Sequence, residues 1–169
     1  VDTSGAGVKA KVKTASGEVV LEADVLLSAV GIAANIEGIG LEETGIKTEK
    51  GRIVTNKYYQ TNVPGIYAIG DCSPGQALAH VASKEGIICI EQIGYNEKKY
   101  NHSPEPLDYG NVPGCTYCTP EIASVGFTEK QAKDAGYEIK VGKFPLSASG
   151  KASAVGHTEG FVKVIFDAK

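Results

Sequence analysis

At 169 residues, with 42% hydrophobic and 22% charged side chains, the chain has the composition of a soluble globular protein and the length of one ordinary domain or two small ones. Its net charge of −3 comes from 20 acidic against 17 basic residues with no basic cluster, which speaks against nucleic acid as a partner, and no apolar run is long enough to span a membrane. Four scattered cysteines do not form a secreted disulfide framework, and Val1 is followed by no basic and apolar leader, so a reducing, cytoplasmic setting is the expectation.

The chain has no methionine and opens directly on strand-like residues, which reads as an internal piece of a longer protein. Val8, Ala10 and Val12 alternate with Lys9, Lys11 and Lys13, the period of a strand with one wet face. Ala15-Ser16-Gly17 turns it into a second arm at Val19 to Leu21. Asp24 to Val30 is nearly continuously apolar and predicts a strand covered on both faces, ending at Gly31. Asn35 to Gly45 is a connector with one helical turn at Leu41-Glu42-Glu43 and Gly45 as its stop. Ile46-Lys47-Thr48 and Arg52-Ile53-Val54 flank Glu49-Lys50-Gly51 as a short hairpin.

Pro64-Gly65 then introduces Ile66 to Ile69, a short apolar run that reads as a buried parallel strand ending in Gly70-Asp71. A carboxylate at a strand's carboxyl end lies where open α/β sheets bind ligands, and it can accept hydrogen bonds from a ligand hydroxyl. Behind the Ser73-Pro74-Gly75 loop, the spacing of Leu78, Val81, Ala82, Glu85, Ile88, Cys89, Gln92 and Ile93 predicts a helix over Ala77 to Tyr95. Its unpaired N-terminal amides would face the same crevice. Gly86 inside that helix calls for close approach to a neighbouring sheet.

Ser103-Pro104-Glu105-Pro106 breaks the helical pattern, and a domain boundary is expected between Pro104 and Pro113. Thr116 to Cys118 and Ile122 to Val125 read as strands. Thr128-Glu129-Lys130-Gln131 is a capping-box start for a helix that stops at Gly136. Tyr137 to Phe144 and Phe161 to Phe166 are strands around Ser147 to Val155, whose small residues suit loop or helix.

The Gly70-Asp71 strand and its helix resemble the second flavin-binding element of the two-dinucleotide-domain flavoprotein disulfide reductases. The resemblance runs from about Val8 to Lys169. It is carried by Leu26-Leu27-Ser28-Ala29-Val30-Gly31, Thr61-Asn62-Val63-Pro64-Gly65, Ile66 to Asp71, Ala79-His80 with Glu85-Gly86, and Lys140-Val141-Gly142-Lys143-Phe144-Pro145. The last of these is similar to the dihydrolipoamide dehydrogenase branch rather than to glutathione or mercuric reductases.

This resemblance implies an α/β to α+β fold in three parts. Residues 1-34 would end an NAD-binding domain, residues 35-108 would form a central FAD-binding segment, and residues 109-169 would begin an α+β dimerisation domain. It implies FAD and NAD as cofactors of the whole enzyme, with no flavin expected on these residues alone. Asp71 would hold a ribityl hydroxyl, the amides of Ala77, Leu78, Ala79 and His80 would face the flavin pyrimidine, and Val30 and Gly31 would lie against the nicotinamide cofactor. Where the family usually continues with Arg-Pro, this chain has Ile32-Ala33-Ala34-Asn35.

The activity so implied is oxidation of dihydrolipoamide to lipoamide by a homodimer, with electrons passing through a disulfide and FAD to NAD. The substrate would be borne on an acyltransferase subunit of a 2-oxo acid dehydrogenase complex. The family's redox disulfide and base fall in segments with no match here, so no catalytic residue is assigned and these residues alone are expected to be inactive. The alternatives are a sister disulfide reductase and a dimerisation module without chemistry.

Cys115-Thr116-Tyr117-Cys118 has the spacing of a redox pair or half a zinc site. A thioredoxin-like pair opens a helix, however, and zinc needs two further ligands, whereas His102 and His157 are isolated. The pair is read as spectator thiols, and Cys72 and Cys89 as small buried fillers.

Overall fold

The lysine-valine alternation at the start of the chain closes as an antiparallel ribbon. In the computed structural model, which describes residues 1–169, β1 (Val8–Thr14) pairs with β2 (Gly17–Ala23) with Val12 opposite Val19 and Ala10 opposite Leu21. Lys9 and Glu22, also opposite one another, form an exposed ion pair of 2.7 Å. The ribbon belongs to one compact unit, Val1–Asn35, and the remainder, Ile36–Lys169, forms a second.

The first unit corrects one expectation. Asp24 to Val30 forms no strand, and its apolar side chains lie open, with Leu27 87% and Val30 90% exposed. A strand apolar on both faces exists only between hydrogen-bonded neighbours, and no segment of these residues pairs with it.

In the second unit, the single turn α1 (Leu41–Thr44) ends at Gly45, and β3 (Thr48–Glu49) pairs with β4 (Arg52–Ile53) around Lys50-Gly51. Leu41, Ile53 and Ala68 form one buried cluster, closed by Ile36, Ile46 and Cys72. Ile66 to Ile69 is extended, but a lone antiparallel bridge from Tyr67 to Gln60 replaces the parallel pairing expected of it. The reason is the same as for Asp24 to Val30: no parallel neighbour lies within these residues.

The helix α2 (Ala79–Asn96) buries the stripe Val81, Glu85, Ile88, Cys89 and Gln92 that the spacing predicts. It starts two residues later than Ala77 because Leu78 is extended (φ −137°, ψ 137°). Ile88 and Cys89 pack on Tyr59, with Tyr67, Ile93 and Leu107 around them. Gly86 has its packing reason, although the close neighbour is a side chain: a Cβ there would lie 3.3 Å from Ile69 Cδ1. Beyond the helix, the Ser103 hydroxyl donates to Gln92 Oε1 at 2.6 Å and lies 3.1 Å from the Tyr58 hydroxyl, which ties the Pro-rich linker back onto α2.

The rest is antiparallel. A 3-10 turn at Tyr109–Asn111 leads into β5 (Gly114–Thr116), which pairs with β6 (Ile122–Ser124). The expected capping box is present on α3 (Glu129–Asp134): Gln131 N–H donates to the Thr128 hydroxyl, and Gln131 Oε1 accepts from Thr128 N–H. β7 (Ile139–Pro145) and β8 (Phe161–Asp167) form the longest ribbon, with Gly142 opposite Val164 and Phe144 opposite Val162. Between them, α4 (Gly150–Val155) resolves the loop-or-helix ambiguity, with the Ser149 hydroxyl accepting from Ala152 N–H. No helix is long and apolar enough to cross a membrane.

Candidate flavin site

Asp71 is placed by a short, tightly bonded turn. Ile69 is extended, Gly70 takes φ 71°, and Gly70–Cys72 forms a single 3-10 turn. A left-handed φ suits glycine, and a Cβ at Gly70 would also lie 3.2 Å from the Ala82 Cβ of α2. The buried Ser73 returns both its amide and its hydroxyl to Gly70 O, each at 2.9 Å. Arg52 on β4 donates through Nη1 to the carbonyls of Ser73 (2.8 Å) and Asp71 (3.3 Å). The backbone of the turn is therefore fixed from two sides while the Asp71 carboxylate stays exposed.

The turn is packed on α2, whose N-terminus follows the Ser73 to Leu78 loop. No side chain caps α2, and the first amides of a helix have no intrahelical acceptor. Ala77 and Leu78 are half-buried, the Leu78 amide donating to the Gln76 carbonyl at 2.9 Å, whereas Ala79 and His80 are exposed. His80 Nε2 lies 3.1 Å from the Pro113 carbonyl, a packing contact made when that nitrogen carries its proton. An exposed carboxylate beside an uncapped helix terminus is a donor and acceptor set that fits a flavin: the acid suits a ribityl hydroxyl, and the amides and helix dipole suit an electron-rich carbonyl edge. Of the other expected residues, Val30 and Gly31 belong to the first compact unit and Asp71 and Ala77 to His80 to the second.

Beneath the turn lies a buried polar group. Glu85 is 1% exposed, and its two oxygens are divided: Oε2 accepts from Gly70 N–H at 2.6 Å and Oε1 from the Tyr109 hydroxyl at 2.5 Å. Burial, and then the bond to Glu85, push the Tyr109 hydroxyl far above the ordinary tyrosine range, so it remains a donor at every working pH. An acid on the apolar stripe of α2 was the sequence signal for this group. Arg52 and Tyr109 had none, because their partners are 21 and 24 residues away.

Tyr59, next to this group, takes φ 68° and is 3% exposed, and its hydroxyl lies beside that of Tyr109 without a hydrogen bond of ordinary geometry. Replacing it with phenylalanine removes a desolvated hydroxyl, so Tyr59→Phe is expected to leave stability unchanged or raise it by about 1 kcal/mol. A loss of more than about 1 kcal/mol in the unfolding free energy from denaturant titration would show a bond between that hydroxyl and Tyr109.

Of the cysteines, Cys72 belongs to the Asp71 turn, where it is half-buried rather than fully buried and its thiol donates to the Ile69 carbonyl at 3.3 Å. Cys89 is buried, and burial raises its thiol above the ordinary range, while Cys115 and Cys118 are exposed free thiols. The chain assembles no group of three or more His, Cys, Asp or Glu side chains that could hold a metal ion.

Residues 1–86 match the pyridine nucleotide-disulphide oxidoreductase family, and residues 112–169 match the dimerisation domain of the same family. The chain belongs to the pyridine nucleotide-disulphide oxidoreductases. Within that class, it is 48% identical over 170 residues to a dihydrolipoyl dehydrogenase of Rhizobium etli, covering 100% of this chain and 34% of that protein. It is 47% identical over 169 residues to the dihydrolipoyl dehydrogenase of Chlorobaculum tepidum, covering 99% of this chain and 35% of that protein. Among solved structures, it superposes on the Cu(II) complex of the HOCl-induced flavoprotein disulfide reductase RclA from Escherichia coli with a TM-score of 0.78 at 26% identity. That match covers 95% of this chain and 35% of the other. LpdA from Mycobacterium tuberculosis gives a TM-score of 0.76 at 29% identity over 96% of this chain and 34% of that one. The chain thus spans about a third of the length of the relatives it matches.

Proposed function

We propose that these residues belong to a flavoprotein that oxidises dihydrolipoamide to lipoamide and delivers the electrons to NAD. The observation that carries this reading is the likeness of the whole chain to dihydrolipoyl dehydrogenases at nearly half identity. When bound, FAD supplies the relay between a thiol pair and the nicotinamide. What this chain supplies is a scaffold for that relay: Asp71 binds a ribityl hydroxyl, and the amides of Ala77 to His80 face the pyrimidine edge, where reduction builds negative charge. Val30 and Gly31 form one wall of the nicotinamide site. Residues 1-34 end the NAD-binding domain, residues 35-108 are the flavin-binding segment, and residues 109-169 open the dimerisation domain.

The enzyme works as a homodimer and takes its substrate as a lipoyl group carried on an acyltransferase subunit of a 2-oxo acid dehydrogenase complex. Four free cysteines and a thiol-disulfide reaction favour a reducing compartment such as the cytoplasm. The test is turnover of a flavin-loaded enzyme of the relatives' length that carries this chain, with dihydrolipoamide and NAD against glutathione disulfide and NADPH. Preference for the second pair would overturn the reading and favour a sister reductase. The superposition on RclA supports that second reading at the level of the flavoprotein disulfide reductases.

In the same enzyme, serine at both Cys115 and Cys118 is expected to keep turnover within about twofold, as exposed substitutions away from the chemistry do. A collapse of flavin reduction by the thiol substrate would give those thiols a redox role.

A further inference from the structure

A carboxylate buried on an apolar helix stripe is costly unless its lone pairs are used, and the two donors that use those of Glu85 come from different parts of the chain. One is the Gly70 amide, immediately before Asp71, and the other is the Tyr109 hydroxyl, 24 residues further along than Glu85. Tyr109 also reaches the far end of the same loop. Its ring lies so close over Gly75 (φ 132°) that a Cβ there would stand 2.9 Å from Cε1. Gln76 Nε2 donates to the Tyr109 carbonyl at 3.3 Å. The single residue Tyr109 thus holds the Asp71 loop at its beginning, through Glu85, and at its end, through Gly75 and Gln76. It lies three residues before the region that matches the dimerisation domain.

We propose that Tyr109 and Glu85 are positioning residues of the flavin site, which set the Asp71 turn and the loop leading into the α2 amides from the segment that enters the dimerisation domain. This rests on the flavin reading of Asp71. Neither side chain touches flavin. They act by fixing where Asp71 and the amides of Ala77 to His80 stand, so a shift of the 109–113 segment changes how the flavin is held.

The test uses the flavin-loaded enzyme of the relatives' length, with Tyr109→Phe, Glu85→Gln, the pair together, and Asp71→Ala as reference. Tyr109→Phe keeps the ring over Gly75 and removes only the hydroxyl. It is expected to speed flavin loss in dialysis by roughly tenfold, the size of a hydrogen bond to a charged group. It is also expected to shift the visible absorption and midpoint potential of the flavin that remains. Because both variants cut one path, the double variant is expected to lose flavin no faster than the worse single one. If Tyr109→Phe lowers the melting temperature alone, with flavin loss and potential unchanged while Asp71→Ala still releases flavin, the positioning role is overturned and the flavin site stands. If Asp71→Ala also keeps its flavin, the flavin reading itself fails and the proposal fails with it.

Discussion

Alanine at Asp71 in the flavin-loaded enzyme is expected to raise the rate of flavin loss by ten- to a hundredfold or so. A charge-assisted hydrogen bond to a ligand hydroxyl contributes about 1.5–3 kcal/mol, and each 1.4 kcal/mol or so is a factor of ten. The apo fold should hardly notice. The Asp71 carboxylate is exposed, and the groups that fix its turn are backbone carbonyls and amides bound by Arg52, Ser73 and Glu85. Flavin fluorescence after dialysis measures the loss, and thermal unfolding of the apoprotein checks that the turn survives. Asp71→Asn, which keeps a neutral acceptor, should fall between the two. Flavin content unchanged in Asp71→Ala would remove Asp71 from the site.

The parts of this structure that were legible in the sequence are those whose causes are local. The Lys-Val alternation of β1, the Thr128 to Gln131 box of α3, the Gly45 stop of α1 and the three-and-four spacing of α2 each carry their partner within a few residues. Asp24 to Val30 and Ile66 to Ile69, expected as parallel strands, find no parallel neighbour here for the opposite reason. An apolar run specifies a buried strand only if something pairs with it, and pairing is a property of the sheet rather than of the run. The candidate site divides in the same way. Gly70-Asp71 before a helical stripe is visible in the sequence, whereas the hold of Arg52 on the loop carbonyls and of Tyr109 on Glu85 depends on contacts across 19 to 24 residues. Glu85 lay between: its place on the stripe marked it as buried, but not what it bonds.

A polypeptide of these 169 residues alone is expected to self-associate, and the ribbon β7–β8 shows where. Residues directly opposed in an antiparallel pair share a face, which puts Phe144, Val162, Val164 and Phe166 together on one side. All four are exposed, with Lys140, opposite Phe166, at the end of the same side, whereas the other side carries Lys163, whose ammonium is paired with Glu129 of α3 at 2.9 Å. One face thus meets the chain's own helix at Lys163, and the other meets none. A second copy laid on the bare face would bury it, and fully covering a Val or Phe side chain contributes about 1.5–3 kcal/mol. Aspartate at both Val164 and Phe166 removes two of those side chains and puts a carboxylate into the contact at position 164, which stands opposite Gly142 with no cation facing it. That pair of substitutions should therefore weaken association by at least a hundredfold or so. Sedimentation equilibrium at micromolar concentration reads both results. The apolar residues around Leu27 and Val30 are a second exposed set, so the aspartate variant also decides between them. A dimer that survives both substitutions would move the contact off β8, and a monomeric parent polypeptide would sink the idea of a self-complementary face.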